Sequence, residues 1–283
     1  MRHEYEIYRR LEGTAVPAAR ALWFEDDTSL APDDSGAYVR TMVEGHWRLP
    51  FLSSTDPADD DEKIAASKEH LRRLATVHSV DWQSQGFDDL FPVPDGPGDV
   101  AHNLIAWFSG RLAEFRCEPS PVLAEGLDWL RATARSAPAV TLCKGTNGHG
   151  EEIWRDGRIV AMSDWEPACI AEPAYDLAQC QEMIPTIERD GRLIWGWDDA
   201  LAYYREQSGI DVSMENVRWY RLFYALPMLL FTHNAASLVH KGGNRHVRFA
   251  WTATENLYRA ELAFASLGGF APKRVPEMGN RTR

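Results

Sequence analysis

The chain has 283 residues, 45% of them hydrophobic, with 42 Asp and Glu against 30 Lys and Arg and a formal charge of −12. That length and hydrophobic content can bury a core of one large domain or two smaller ones. An isoelectric point near 5.2 leaves no broad positive field, which argues against nucleic acid or an anionic membrane as the main partner and leaves room only for a local basic pocket.

Cys117, Cys143, Cys169 and Cys180 form no C-x-x-C pair, and the N-terminus lacks the apolar run of a signal peptide. The longest apolar stretch, Ala225 to Phe231, is too short to span a bilayer. The expectation is a cytoplasmic protein with reduced thiols and no membrane anchor.

Along the chain, residues 1 to 12 place Tyr5, Tyr8 and Leu11 at helical spacing, and Gly13 ends the pattern. The segments Ala21 to Phe24 and Tyr38 to Val43 predict two antiparallel strands around the Asp/Pro/Gly/Ser-rich stretch Glu25 to Gly36. Ala58 to His78 reads as a helix with Ile64, Leu71, Leu74 and Val77 on one face. Two more helices are expected over Leu104 to Phe115 and Pro121 to Ala134. A hairpin follows, with Glu151 to Trp154 and Ile159 to Met162 flanking Arg155-Asp156-Gly157-Arg158, whose Asp-Gly pair suits a tight turn. From about Ala174 to Leu267 the chain is expected to be mostly helical, including one apolar helix over Trp219 to Leu238.

The richest stretch for chemistry is the Gly-rich loop Lys144-Gly145-Thr146-Asn147-Gly148-His149-Gly150, followed by that hairpin and by Ser163-Asp164-Trp165-Glu166. A loop, a hairpin and an aspartate after its second strand present polar groups at the end of a small sheet, a layout suited to an active site. The loop does not have phosphate-loop spacing. Alternation along the strand puts one of Glu151 and Glu152 inward and the other outward. Trp195, Trp197, Tyr203, Tyr204, Trp219, Tyr220, Phe223 and Tyr224 read as core aromatics at helical spacing, with lining of an acceptor cleft as the alternative. His233, Asn234 and Ser237 are candidate polar groups on the helix beyond.

This order resembles the aminoglycoside phosphotransferase and choline-kinase-like family, in particular its acyl-CoA-dehydrogenase-linked branch. The resemblance is carried by Arg2 to Pro17, by Val39 to Gly45, by Leu74-Ala75-Thr76-Val77-His78-Ser79-Val80-Asp81-Trp82, and by Asp164-Trp165-Glu166 with Glu172-Pro173-Ala174-Tyr175-Asp176-Leu177-Ala178. It implies an α+β, protein-kinase-like fold with a reduced N-lobe and a large, mainly helical C-lobe. The implied layout is an N-lobe remnant over 1–45, a helical C-lobe with the catalytic-loop hairpin over 46–270, and a disordered tail over 271–283.

The resemblance also implies site roles. Glu4 stands for the helix glutamate and Thr41 and Val43 for the hinge of a nucleotide site, while Asp164 and Glu151 are the expected metal ligands and ATP with Mg²⁺ the expected cofactors. In the family's HGDxxxxN loop, Lys144 stands at the His, Thr146 at the base Asp and Glu151 at the Asn, with Gly145 retained. Threonine cannot accept a proton at neutral pH, so the base is missing, and no lysine precedes Lys63 to serve as the phosphate-binding lysine. Lys144 is expected either to bind an anion or to pair with Asp164, and Asp176 to bond local backbone and hold the loop. Three functions stay open: phosphoryl transfer to a hydroxyl of a small metabolite, binding of a small molecule or protein without transfer, and another reaction using Glu151, Lys144 and Asp164.

Overall fold

The computed structural model describes residues 1–30, 36–115, 121–148, 150–243 and 246–265. Cys117, His149 and the tail expected over 271–283 lie outside the described residues. In chain order the elements are α1 (Arg2–Leu11), β1 (Ala21–Glu25), β2 (Ala37–Arg40), α2 (Asp60–His78), α3 (Val100–Phe115), α4 (Pro121–Thr133), β3 (Thr141–Cys143), β4 (Glu152–Arg155), β5 (Arg158–Met162), β6 (Cys169–Ala171), α5 (Pro173–Leu177), β7 (Ile187–Arg189), β8 (Arg192–Trp195), α6 (Trp197–Ser208), α7 (Met214–Phe223), α8 (Ala225–His240) and α9 (Val247–Ala265). The chain forms two compact units, one of Met1–Val100 with Ala137–Arg218, the other of Ala101–Ser136 with the described part of Trp219–Arg283.

In the first unit, α1 buries Ile7, Tyr8 and Leu11, the residues its helical spacing brings to one face. Its Tyr5 ring packs on Phe24 and Tyr38 of the β1–β2 hairpin, with centroids 5.4 and 6.2 Å away. Helix α2 begins after a single 3-10 turn that opens on Pro57, where the Asp56 carboxylate accepts from the Ala58 N–H at 2.9 Å. Its first turn is acidic (Asp60, Asp61, Glu62) and its last holds His78, the charge order the helix dipole favours. Leu71, Leu74 and Val77 are 0% exposed, and each such side chain contributes about 1.5–3 kcal/mol of burial. The apolar face of α2 packs on α6, β3 and β5.

The strands form four two-stranded antiparallel sheets, β1–β2, β3–β6, β4–β5 and β7–β8. The expected hairpin is β4–β5, and its turn residues Asp156 and Gly157 have φ of +51° and +70°. Where helix was expected, β7–β8 is a second hairpin of the same kind. Its turn repeats the sequence Arg-Asp-Gly-Arg, with Asp190 and Gly191 at φ +52° and +71°, so the same positive-φ pair makes the same turn.

In the second unit, α8 and α9 pack on each other and α4 lies on α9. The approach is close: a Cβ on Gly126 would sit 2.2 Å from the Phe264 ring, so only glycine fits. Trp219 stacks on Phe223 at 5.5 Å and donates its indole N–H to the Thr133 hydroxyl at 3.1 Å. Trp195, Tyr204, Trp219, Tyr220 and Phe223 are all buried core, while His233 and Asn234 are half-buried and Ser237 is buried.

The single apolar helix expected over Trp219 to Leu238 is two helices, α7 and α8, parted at Tyr224. Pro227 has no N–H to give to the Phe223 carbonyl, and the ladder is interrupted there. Taken together, Met214–His240 reaches spanning length with a mean hydropathy of 1.4 in its most apolar stretch, and 39% of that stretch is buried. That run therefore exceeds the short apolar stretch judged from sequence, although length and composition alone are weak grounds for a membrane.

Candidate active site

The site is built on the Gly-rich loop that β3 feeds directly. Asp176, fully buried on α5, takes the Lys144 N–H on Oδ2 and the Gly145 N–H on Oδ1, both at 2.8 Å. His78 at the end of α2 bonds the same Oδ2 at 3.0 Å through Nε2, and its Nδ1 meets the Tyr204 hydroxyl at 2.7 Å. Burial alone would raise the Asp176 carboxyl. The His78 hydrogen bond and charge, with the two backbone N–H groups, outweigh it and hold the carboxyl below its ordinary value. Asp176 is thus the anchor of the loop, as expected.

Gly145 has φ +83°, and a Cβ there would lie 2.1 Å from the Pro167 carbonyl oxygen. Its retention has that steric cause.

Lys144 is turned into the protein and is 0% exposed. Its ammonium donates to the Thr146 carbonyl, and among the described residues it forms no ion pair, so the pairing with Asp164 expected from the sequence does not occur. Burial lowers its pKa, opposed by the charges of Glu152, Asp176, Glu151 and Asp164 in that order. Glu152 is the inward member of the glutamate pair, 0% exposed. Burial pushes its carboxyl up to about 8, with Lys144 pulling the other way. His70 lies 3.5 Å from Glu152 through Nδ1 and 3.3 Å from the Cys180 sulfur through Nε2, and burial with the nearby Lys144 charge pushes it down to about 3. Thr146 is half-buried and Asn147 buried, the Asn147 N–H donating to the Gln179 side-chain oxygen at 3.3 Å.

The β4–β5 hairpin brings Glu151 and Asp164 together. The Ser163 N–H and hydroxyl both donate to the Glu151 carbonyl at 2.9 Å, setting Glu151 beside the residue before Asp164. Glu151 is half-buried and its carboxyl is raised by burial, then lowered by Lys144 and raised by the Asp164 charge. Two carboxylates that sense each other's charge suit a hard divalent cation with oxygen ligands. Asp164 has φ +59°, a left-handed conformation that a non-glycine residue adopts at a cost of about 1–3 kcal/mol. The segment is held there by Trp165, fully buried with its indole N–H on the Met162 carbonyl at 2.9 Å, and by the Met162 N–H on the Pro17 carbonyl at 2.7 Å.

The N-terminal groups belong to the same compact unit. Burial raises the Tyr38 pKa, the neighbouring Glu4 raises it further and the Arg40 charge opposes. Tyr8 takes a hydrogen bond from the Arg40 guanidinium, and burial pushes its pKa up to about 12, with the charges of Arg40, Glu4 and Asp164 all felt at the phenol. The Thr41 N–H and hydroxyl are both engaged with the Arg20 backbone at 2.9 Å, which extends the hairpin by one residue. The Val43 N–H and C=O have no partner among the described residues, which leaves this backbone free to bond a ligand. Beyond it, Gly45 at φ +152° passes so close to β4 that a Cβ would meet Ile153 and the Trp154 carbonyl at 2.6 Å. His46 and Trp154 exchange backbone bonds of 2.9 and 2.7 Å there.

One group among the described residues has metal-ligand types within 4.8 Å of one another, His78, Cys143 and Asp176. All three are already committed, since the Cys143 thiol donates to the Glu172 carbonyl at 3.3 Å and the other two hold the loop. Sequence reasoning missed Glu152 and His70 as a buried polar pair. Strand alternation alone could have flagged Glu152 as the inward residue; nothing in the pattern of α2 pointed to His70.

The phosphotransferase enzyme family matches residues 1–210. A candidate aminoglycoside phosphotransferase from Ralstonia eutropha JMP134 superposes with a TM-score of 0.71 at 20% identity, covering 94% of this chain and 83% of its own. Plasmodium vivax ethanolamine kinase gives 0.54 at 14%, with 92% and 71% covered. A ternary complex of APH(2")-IIa with streptomycin and ATP gives 0.55 at 13%, with 93% and 81% covered. No curated protein matches the sequence.

The fold is that of the aminoglycoside phosphotransferases, kinase-like, mixed helix and sheet. The chain belongs to the phosphotransferase enzyme family.

Proposed function

We propose that the chain binds ATP and transfers its terminal phosphoryl group, slowly, to a hydroxyl of a small metabolite in the cytoplasm. The observation that carries this reading is Asp164, kept in a left-handed conformation beside Glu151, because backbone strain at a polar residue persists where the surroundings enforce it and clusters at functional sites. In this reading Asp164 and Glu151 hold Mg²⁺, which would neutralise phosphate charge, and the free Val43 backbone takes the nucleotide base. Residues 1–45 serve as N-lobe elements of the nucleotide site. The free thiols of Cys143, Cys169 and Cys180 accord with a reducing compartment.

Phosphoryl transfer relies mainly on positioning and charge stabilisation. Loss of a positioned base at Thr146 therefore lowers the rate by about 10²–10⁴-fold rather than abolishing it. ATP and streptomycin occupy the APH(2")-IIa complex, and that neighbour supports a nucleotide with a small hydroxylated acceptor here. Titration calorimetry and thermal melting with ATP, ADP and GTP in Mg²⁺ or Mn²⁺ test the reading. A ligand bound only by the folded state raises apparent stability, so the absence of both heat and stabilisation would refute it.

A second reading, binding without transfer, is favoured by one observation. Lys144 is sealed inside and spends its ammonium on the Thr146 carbonyl, so among its described residues the catalytic loop offers no free cation. The double variant Thr146→Asp with Glu151→Asn separates the two: a gain in phosphoryl transfer to a metabolite panel supports the slow phosphotransferase, and an ATP-binding but inert double variant supports the binder.

A further inference from the structure

Helix α2 grips the β4–β5 hairpin through two successive residues. Glu69 holds the turn end: its buried carboxylate accepts the Ile159 N–H and an Arg158 N–H, each at 3.0 Å. His70 meets the other end, where its Nδ1 stands 3.5 Å from Glu152 Oε1 and Glu152 lies opposite Met162 in the sheet. Glu151 directly precedes that pair and Asp164 follows it by two residues, so His70 touches the end of the hairpin that carries both carboxylates.

The same imidazole reaches the anchor of the loop. Its Nε2 is 3.3 Å from the Cys180 sulfur, and the Cys180 thiol donates to the Asp176 carbonyl at 3.3 Å. The carboxylate of Asp176 holds the Lys144 and Gly145 N–H groups. His70 and Glu152 are both 0% exposed, and His70 Nδ1 has no other hydrogen-bond partner among the described residues. One buried ring therefore joins the two halves of the site, and buried polar links of this kind fix a single arrangement of the elements they join.

We infer that His70 is a positioning residue for the Glu151–Asp164 pair, tying the strand end that carries Glu151 to the segment that anchors the loop. The inference rests on the metal–nucleotide reading above. Mg²⁺ demands near-octahedral oxygens at about 2.0–2.1 Å, so a displaced carboxylate is a poorer ligand. Groups that orient metal ligands from behind change metal affinity by about 10–100-fold when they are lost. His70 is fully buried and acts only through Glu152 and its strand.

Melting the protein with ATP across a Mg²⁺ titration tests it in the wild type, His70→Gln, His70→Asn and Glu69→Gln, with the unliganded melting temperature as the check on folding. Glutamine places its amide where Nε2 stood and keeps the Cys180 side; asparagine places its amide where Nδ1 stood and keeps the Glu152 side. His70→Gln is expected to raise the Mg²⁺ concentration for half-maximal stabilisation by about 10–100-fold, and His70→Asn by less than about threefold. Glu69→Gln loosens the turn end, lowers the unliganded melting temperature and leaves the Mg²⁺ midpoint within about twofold of wild type. Without metal or nucleotide, the Ser163 amide, which donates to the Glu151 carbonyl, exchanges faster in His70→Gln than in wild type, and the Ile159 amide does not. Where His70→Gln does not fold, Glu152→Met removes the same contact from the strand side, with the same shifts expected. An unchanged Mg²⁺ midpoint in folded His70→Gln or Glu152→Met overturns this inference alone. Equal midpoint shifts in His70→Gln, His70→Asn and Glu69→Gln overturn it too, because any weakening of the packing would then suffice. A wild type that ATP and Mg²⁺ do not stabilise overturns it together with the nucleotide reading.

Discussion

Two stretches at the same end of the β4–β5 hairpin are built in opposite ways. In the loop from Lys144 to Glu152, Lys144, Asn147 and Glu152 are buried, and among its described charged side chains Glu151 alone is half-exposed. The segment from Met162 to Glu166 does the reverse: Trp165 fills the core so that the strained Asp164 can stay half-exposed. In the loop, side chains serve the protein. In the Asp164 segment, the protein serves a side chain. Asp156 and Asp190 take a similar left-handed conformation to turn a hairpin, whereas Asp164 takes it outside any hairpin turn, and by that criterion the Asp164 side of the site is the working side.

The largest expected effect tests whether the loop is purely architectural. Asp176→Ala leaves two backbone N–H groups and His78 without their acceptor, and loss of a buried charged partner costs about 3–5 kcal/mol. Urea unfolding at neutral pH measures it. The Asp176 pKa is depressed in the fold, so its stabilisation is full above the unfolded carboxyl range and is lost as pH falls through the folded value. The stability gap between wild type and Asp176→Asn should therefore shrink as pH drops below about 4; a gap independent of pH would contradict the anchor role.

A second comparison uses two glycines with similar backbones. Gly145 and Gly157 have φ of +83° and +70°, but only at Gly145 does a Cβ meet an obstacle, the Pro167 carbonyl. Gly157→Ala should cost about 1 kcal/mol, the backbone term alone, and Gly145→Ala at least about 2 kcal/mol more because the loop must shift. Equal melting temperatures for the two variants would mean that the close approach at Gly145 is not a constraint.

A smaller effect sharpens the picture of the buried charges. Lys144→Met alone removes the charge that lowers the Glu152 pKa, and Glu152→Gln alone leaves the ammonium among fewer counter-charges. The double variant should be less destabilised than the sum of the singles by about 1–3 kcal/mol. Strict additivity would show that the two groups do not sense each other.

Much of this arrangement was legible in the residues. The Asp-Trp-Glu segment, the Asp-Gly turn at Asp156 and the helix face of Leu71, Leu74 and Val77 are local patterns, and local patterns survive folding. The second hairpin carried the same Arg-Asp-Gly-Arg signal at Arg189 to Arg192, but its short strands, Ile187–Arg189 and Arg192–Trp195, are too brief to show alternation against their helical surroundings. What could not be read was direction. Whether Lys144 faces Asp164 or the core, and that His70 meets Glu152 across 82 positions of sequence, depends on how α2 packs on β3 and β5, which no period along the chain records.

The central claim is that Asp164 is kept strained in order to hold a metal-bound nucleotide. Melting the protein with ATP across a Mg²⁺ titration, in the wild type and in Asp164→Asn, tests it most directly. The account predicts Mg²⁺-dependent stabilisation of the wild type by several degrees, abolished in Asp164→Asn, whose unliganded melting temperature stays within about 2 °C of wild type because an exposed isostere disturbs little packing. Equal ATP stabilisation of the two proteins at every Mg²⁺ concentration, or none in either, would contradict it.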